Sequence, residues 1–176
     1  TNAYRLINAE GDGFPGLIVD VYDSMCVLSI ATAGMEKQKN HVLSAMISQL
    51  KPSRIYEQSD SRSRTLEGLE KSSGMIFGDD KNGVVEIMEN GLKFEVDFVS
   101  GQKTGFFLDQ RVNREKLGAL SRDIQVLNCF CYTGAFSVYC AEGGARRVVS
   151  IDISKPTCGI ARKNLHLNWF SAENHP

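Results

Sequence analysis

The residues of this 176-residue chain whose types and spacing best suit chemistry are Val126-Leu-Asn-Cys-Phe-Cys-Tyr-Thr-Gly134 and Asp152. Val126–Cys129 is apolar enough for a buried strand. Gly134 sits at the turn that follows, and Ala135–Glu142 has helical spacing. Asp152 comes eighteen residues after Gly134, at the end of a second apolar run, 148–151. A strand, a tight turn and a helix gather free backbone N–H groups and the positive end of a helix dipole at one point. A ligand can lie across the C-terminal ends of such strands, and a carboxylate on the second strand can accept ribose hydroxyls. The chemistry is therefore that of a nucleoside cofactor.

The glycine count narrows the choice. A pyrophosphate needs close backbone approach at several points, hence G-x-G-x-x-G. Here one glycine is present, and the bulky Phe130 and Tyr132 hold the other places. A sulfonium amino acid without phosphate fits better. Two other readings stay open on these residues alone. One is a generic turn with a capping Asp; the other is a nicotinamide-dependent oxidoreductase with an unusual loop.

A second polar segment, Lys103-Thr-Gly-Phe-Phe-Leu-Asp-Gln-Arg111, surrounds an apolar centre. Lys103 and Arg111 could meet a carboxylate or an RNA phosphate. Asp109 and Gln110 stand where a helix begins, so they could cap it or reach a cofactor. From Gly101 to Arg122 five basic residues (103, 111, 114, 116, 122) face two acidic ones (109, 115), which suggests a local basic patch. A solvated helix face is the plainer explanation of such charge.

The elements that must position these residues follow from periodicity and turn chemistry. Leu17–Tyr22 and Cys26–Ala31 read as a hairpin after the turn-rich 10–16. Met35–Leu50 has helical spacing and stops at Pro52. Arg54–Glu57 is a candidate strand, and 78–83 is a polar loop. Asn90-Gly91 between Val84–Met88 and Leu92–Val96 is a strong hairpin signal. Then the rhythm changes. A helix over Gln110–Leu120, with Asp109 as its N-cap, precedes strand, helix (ended by Gly143-Gly144), strand, and a helix capped by Ser154 and started by Pro156. That alternation means a parallel α/β sheet.

Composition is ordinary for a globular protein, with 42% hydrophobic and 23% charged residues. A net charge of −1 excludes a wholly basic nucleic-acid binder, so such binding would need a local patch. No apolar run approaches the ~20 residues that cross a bilayer. Five cysteines at odd spacing, and scattered His41, His166 and His175, suggest a reducing, cytoplasmic compartment with no metal site. Cys26, Cys140 and Cys158 read as core positions. The N-terminus does not read as a signal peptide, and its lack of an initiator Met suggests a fragment.

Asn128-Cys-Phe-Cys-Tyr-Thr-Gly134 resembles motif I of class I methyltransferases acting on large-subunit ribosomal RNA, with its N-x-F-x-Y-T-G pattern. Lys103–Arg111 resembles that family's signature upstream of the methyltransferase sheet. Arg5-Leu-Ile-Asn-Ala-Glu-Gly-Asp-Gly-Phe-Pro-Gly-Leu-Ile-Val-Asp20 is similar to its middle domain. The likeness covers nearly the whole chain and points to the bacterial 5-methylcytosine type, built as PUA, middle and catalytic domains.

The resemblance implies an α+β middle domain over 1–99, then the first part of a Rossmann-like class I methyltransferase domain over 100–176. It implies S-adenosylmethionine as cofactor and large-subunit ribosomal RNA as partner, with no membrane or metal, and leaves a homodimer open. The implied cofactor residues are Lys103, Phe107, Asp109, Gln110, Arg111, Asn128, Phe130, Tyr132, Thr133, Gly134 and Asp152. Cytosine C5 chemistry needs a thiolate that adds to C6. Cys129 would end a buried strand and Cys131 would sit in the cofactor loop, so neither suits that role. The PUA domain is expected before Thr1, and the nucleophile after Pro176, leaving this fragment inactive alone. Guanine-N methylation, or a non-catalytic RNA-binding or assembly module, are the alternatives.

Overall fold

The computed structural model describes residues 1–79, 82–171 and 173–175. The chain divides into two compact units. One holds Asn2–Ile87 and Val96–Phe106; the other holds Met88–Glu95 and Phe107–Pro176, together with Thr1.

The first unit is built on a five-stranded sheet in sequence order. Its strands are β1 (Ala3–Asn8), β2 (Leu17–Tyr22), β3 (Met25–Ile30), β4 (Arg54–Ser59) and β5 (Ser72–Phe77). The expected β2–β3 hairpin is present and antiparallel. β3 and β4 are parallel, so the chain crosses over through α1 (Ala33–Lys37) and α2 (Lys39–Leu50). The single helix expected over Met35–Leu50 is broken at Gln38, whose N–H closes a tight turn onto Met35 O at 2.9 Å. A third short helix, α3 (Arg62–Leu66), carries the buried Arg64, which donates to Ile30 O at 3.1 Å and to Glu36 Oε2 at 2.6 Å.

β1, β5 and α3 escape the sequence reading. β1 faces solvent along most of its length, and β5 begins Ser-Ser-Gly, so neither shows a strand's alternation. Cross-strand pairing decides such segments, not intrinsic preference.

Leu17, Val19, Leu28, Ile30 and Ile55 form the core with Met46 of α2. A polar cluster is sealed beside it. Asp20, 0% exposed, accepts from Arg5 Nε at 2.8 Å and Nη2 at 3.0 Å. Thr104 Oγ1 also donates to Asp20 and shares a hydrogen bond of 2.8 Å with Tyr22 OH. Burial, reinforced by the Asp20 charge, pushes the Tyr22 phenol well above its ordinary range.

The hairpin of β6 (Val84–Glu89) and β7 (Leu92–Asp97) turns through Asn90 and Gly91, with φ of 51° and 84°. Those angles are what a type I′ turn demands, and why Asn-Gly announces it. The hairpin's tip, Met88–Glu95, clusters with the second unit. The expected loop over 78–83 includes Asp80 and Lys81, which lie outside the described residues.

The second unit continues with a 3-10 turn (Leu108–Gln110), α4 (Arg111–Ala119), β8 (Gln125–Cys129), α5 (Ala135–Glu142), β9 (Arg147–Ile151) and α6 (Lys155–Leu167). β8 and β9 pair in parallel, Val126 opposite Val148 and Cys129 opposite Ile151. The alternation of strand and helix is the α/β arrangement the sequence predicts. Among the described residues, no helix is long and apolar enough to cross a membrane.

Three expectations change. Asp109 does not cap α4: the 3-10 turn intervenes, and Gln110 occupies the cap position without a side-chain bond. Cys129 is exposed, because β8 buries only one of its faces and leaves Leu127 at 61% exposure. Cys158 is half-buried, whereas Cys26 and Cys140 are buried as expected.

Candidate functional site

The loop after β8 is held in a conformation that few sequences adopt freely. Phe130, Tyr132 and Gly134 have φ of 62°, 51° and 73°. Left-handed backbone is costly for non-glycine residues, so the surroundings must impose it. Cys131 N–H donates to Ile151 O at 2.9 Å, which pins the loop to the end of β9. Tyr132 N–H donates to Asp152 Oδ2 at 2.9 Å, and Ser154 N–H donates to Asp152 Oδ1 at 2.9 Å. These two bonds, Ser154 first, hold the Asp152 carboxyl below its ordinary range.

Gly134 is required twice over. It takes a left-handed φ at the N-cap of α5, and a Cβ there would stand 2.7 Å from Ala161 Cβ. α5 therefore starts against α6 with no side chain between them. Its first turn has no capping side chain of its own, so the dipole's positive end faces the loop. Beside it, Thr133 is 2% exposed and its Oγ1 is buried without a hydrogen-bond partner. An orphaned buried hydroxyl costs free energy unless something meets it.

The predicted residues fall into three groups. Phe130, Tyr132, Thr133 and Gly134 share the loop after β8, and Asp152, just after β9, is bonded to that loop. Phe107 joins them, its ring edge-on to Tyr132 at 5.3 Å. Asn128 stands just below, but its amide faces α5, donating to Ser137 Oγ at 2.8 Å; Ser137 shares a 2.8 Å bond with Ser150 of β9.

Asp109, Gln110 and Arg111 lie on the turn before α4. Gln110 Nε2 donates to Asp109 Oδ2 at 3.1 Å and its Oε1 accepts from Asn113 at 2.9 Å. Lys103 is exposed and belongs to the other compact unit. The Lys103–Arg111 segment is thus divided: Thr104 and Phe106 are buried in the first unit, and Phe107 onward belongs to the second.

Arg114 is not part of a basic patch. It is 1% exposed and grips Glu89 with Nε at 2.8 Å and Nη2 at 2.7 Å. Its Nη1 donates to Phe107 O at 2.9 Å, and Tyr139 OH donates to Glu89 Oε1 at 3.0 Å. The pair fixes the backbone of the residue that touches Tyr132. Its partner at Glu89, distant in sequence, gives no local signal that sets Arg114 apart from a surface arginine.

Asn164 is the other residue that sequence reasoning misses. It is fully buried, with Nδ2 donating to Thr133 O at 2.8 Å.

Burial pushes the Cys131 thiol up to about 11, with Cys158 and Asp152 adding to the shift. Among the described residues, no cluster of three or more His, Cys, Asp or Glu could hold a metal ion.

Comparison with known proteins places the chain in context. The family described as S-adenosylmethionine-dependent methyltransferase matches residues 4–173. "Ribosomal RNA large subunit methyltransferase I" of Vibrio vulnificus is 44% identical over 167 residues, 95% of this chain and 42% of the relative. A Streptococcus mutans protein described as a SAM-dependent methyltransferase is 30% identical with a TM-score of 0.86, covering 99% of this chain and 45% of that one. A methyltransferase structure complexed with SAH has the same identity and TM-score, over 99% of this chain and 44% of that one. The chain thus spans less than half the length of these relatives.

Proposed function

This chain belongs to the S-adenosylmethionine-dependent methyltransferase family, and from that premise we propose that it forms the cofactor-binding part of an enzyme that methylates a base of large-subunit ribosomal RNA. We assign the base as cytosine and the atom as C5, on the motif resemblance. The likeness to relatives named as large-subunit ribosomal RNA methyltransferases supports the RNA class. The proposed organisation is a middle domain over 1–99 followed by the first part of a Rossmann-like methyltransferase domain over 100–176.

The observation that carries the reading is the strained 130–134 loop clamped to Asp152 at the end of β9. Both Asp152 oxygens already accept a backbone N–H. A carboxylate has about four lone-pair sites, so it can still accept ribose hydroxyls. The buried Thr133 hydroxyl and the uncapped start of α5 are suited to the polar and carboxylate groups of an amino acid.

The cofactor supplies an electrophilic methyl group when bound. The chain's own residues bind and orient it. Phe130 and Tyr132 shape the loop, Phe107 backs Tyr132, and Asn128 locks the end of β8 to α5. Asp109, Gln110, Arg111 and Lys103 are proposed to orient cofactor or RNA. C5 methylation needs a thiolate nucleophile. We do not assign it to Cys131, which is buried and stays protonated near neutral pH.

The test is calorimetric titration of the full-length protein with S-adenosylmethionine, alongside Asp152→Ala. The expected result is binding by the wild type and at least a roughly tenfold loss in the variant, the scale of losing charged hydrogen bonds. Unchanged affinity would reject the site. Mass spectrometry of ribosomal RNA from cells lacking the gene should show a missing 5-methylcytosine; loss of a methylguanine instead would reject the base.

A further inference from the structure

α6 and its C-cap present two asparagines one turn apart, Asn164 and Asn168, toward the hairpin strand β7. Each treats the strand as a neighbouring strand would. Asn168 Oδ1 accepts from Lys93 N–H at 2.9 Å and its Nδ2 donates to Lys93 O at 2.8 Å. Asn164 Oδ1 accepts from Glu95 N–H at 2.7 Å. Residues i and i+4 of a helix share a face, and residues i and i+2 of a strand share an edge, so the two periodicities meet. Lys163 adds an outer bond to Glu95 Oε1 at 3.1 Å.

The two asparagines differ in what their other bond reaches. Asn168 returns to its own helix, donating to Asn164 O at 2.8 Å. Asn164 instead donates to Thr133 O at 2.8 Å, in the middle of the loop over Asp152. It is 0% exposed, and both of its amide atoms are satisfied by groups from different parts of the chain. Removing it would leave the buried Thr133 carbonyl and the part-buried Glu95 N–H without these bonds.

We propose that Asn164 is a positioning residue for the cofactor loop, holding the Thr133 carbonyl in place while anchored to the hairpin through Glu95. This rests on the reading of 130–134 as the S-adenosylmethionine loop. The Thr133 carbonyl belongs to the peptide that leads into Gly134 and the start of α5. Fixing it fixes the direction of the first-turn N–H groups and of the Thr133 hydroxyl. Asn168 is the internal control, because it grips the same strand from the same helix without touching the loop.

The test compares Asn164→Ala, Asn164→Asp and Asn168→Ala in the full-length protein. Asn164→Ala should weaken S-adenosylmethionine binding about tenfold, as a buried hydrogen bond with an orphaned partner is lost. Asn164→Asp keeps the acceptor for Glu95 but loses the donor to Thr133, and should weaken binding to a similar extent. Asn168→Ala should lower Tm and leave Kd unchanged. Equal Kd for Asn164→Ala and Asn168→Ala overturns the proposal.

If the Asn164 variants do not fold, the wild type still decides. Saturating cofactor should slow amide exchange at Glu95 and leave Lys93 unaffected, whereas an equal response at both amides overturns the strut. A wild type that binds no S-adenosylmethionine sinks the loop reading itself, a different failure from a bound wild type with a silent Asn164.

Discussion

The two compact units solve the same problem with different materials. In the first, five strands let the sheet bury a continuous apolar layer: Val19, Leu28, Ile30 and Ile55 are all 0% exposed. In the second, this 176-residue chain contributes two parallel strands, β8 and β9, and Leu127, Ile151 and Phe130 are 61%, 50% and 84% exposed within it. Its fixed points are polar instead. Glu89–Arg114–Tyr139 and Asn164 are sealed from water and join segments far apart in sequence. Apolar layers give stability in proportion to area. Buried polar clamps give geometry: the first unit has one around Asp20, and those of the second stand beside a loop that must be held in left-handed backbone.

If that contrast is right, the largest effect should come from breaking the clamp. Arg114→Ala leaves Glu89 buried and unpaired, and removing one partner of a buried pair costs about 3–5 kcal/mol. Amide exchange by mass spectrometry should show protection lost over 107–171 while β2 and β3 keep theirs. Uniform loss in both units would break the comparison. The double variant Glu89→Leu/Arg114→Met should recover much of the stability, since an apolar pair of similar volume replaces a buried ion pair at little cost.

The apolar half of the contrast is sharpened by two leucines. Leu28→Ala, at 0% exposure, should cost roughly 2–5 kcal/mol through transfer and cavity. Leu127→Ala, at 61%, should stay within about 0.5 kcal/mol in the 176-residue chain. Urea titration of each variant, read by the exchange of the unit concerned, checks both. A Leu127 effect as large as that of Leu28 would mean that the β8–β9 face is covered after all.

How much of this was legible from sequence follows the range of each interaction. The loop at Asn128–Gly134, the helix Ala135–Glu142, the Ser154 cap and the Asn90-Gly91 turn depend on neighbours within a few residues, and their chemistry is written locally. Arg114 looks like any helical arginine; its role depends on Glu89, twenty-five residues away. Asn164 looks like a polar residue on a solvated face until Glu95 and Thr133 come to it. Thr104 sits inside a motif that reads as one unit, yet its hydroxyl belongs to Asp20 and Tyr22. β1 and β5 lack alternation because pairing alone makes them strands.

The smallest effect lies in the loop itself, where the clamp is one exposed-side carboxylate. Ser154 and Tyr132 N–H groups hold Asp152 below the ordinary value of 3.8. A carboxyl lowered on folding contributes stability that is complete above its unfolded pKa and lost as pH falls through the folded one. Loop order should therefore be flat from neutral pH down to about 5 and decline only below about 4. Amide exchange of 130–134, corrected for the intrinsic acid dependence, should report an opening equilibrium that rises only a few-fold there, since a half-exposed carboxylate is partly screened. Asp152→Asn removes the titrating group, so its loop should open more at neutral pH and show no further acid step. A wild-type loop whose acid response equals that of Asp152→Asn would mean that the carboxylate does not hold it, and that the left-handed backbone at Tyr132 is set by Cys131 and Gly134 alone.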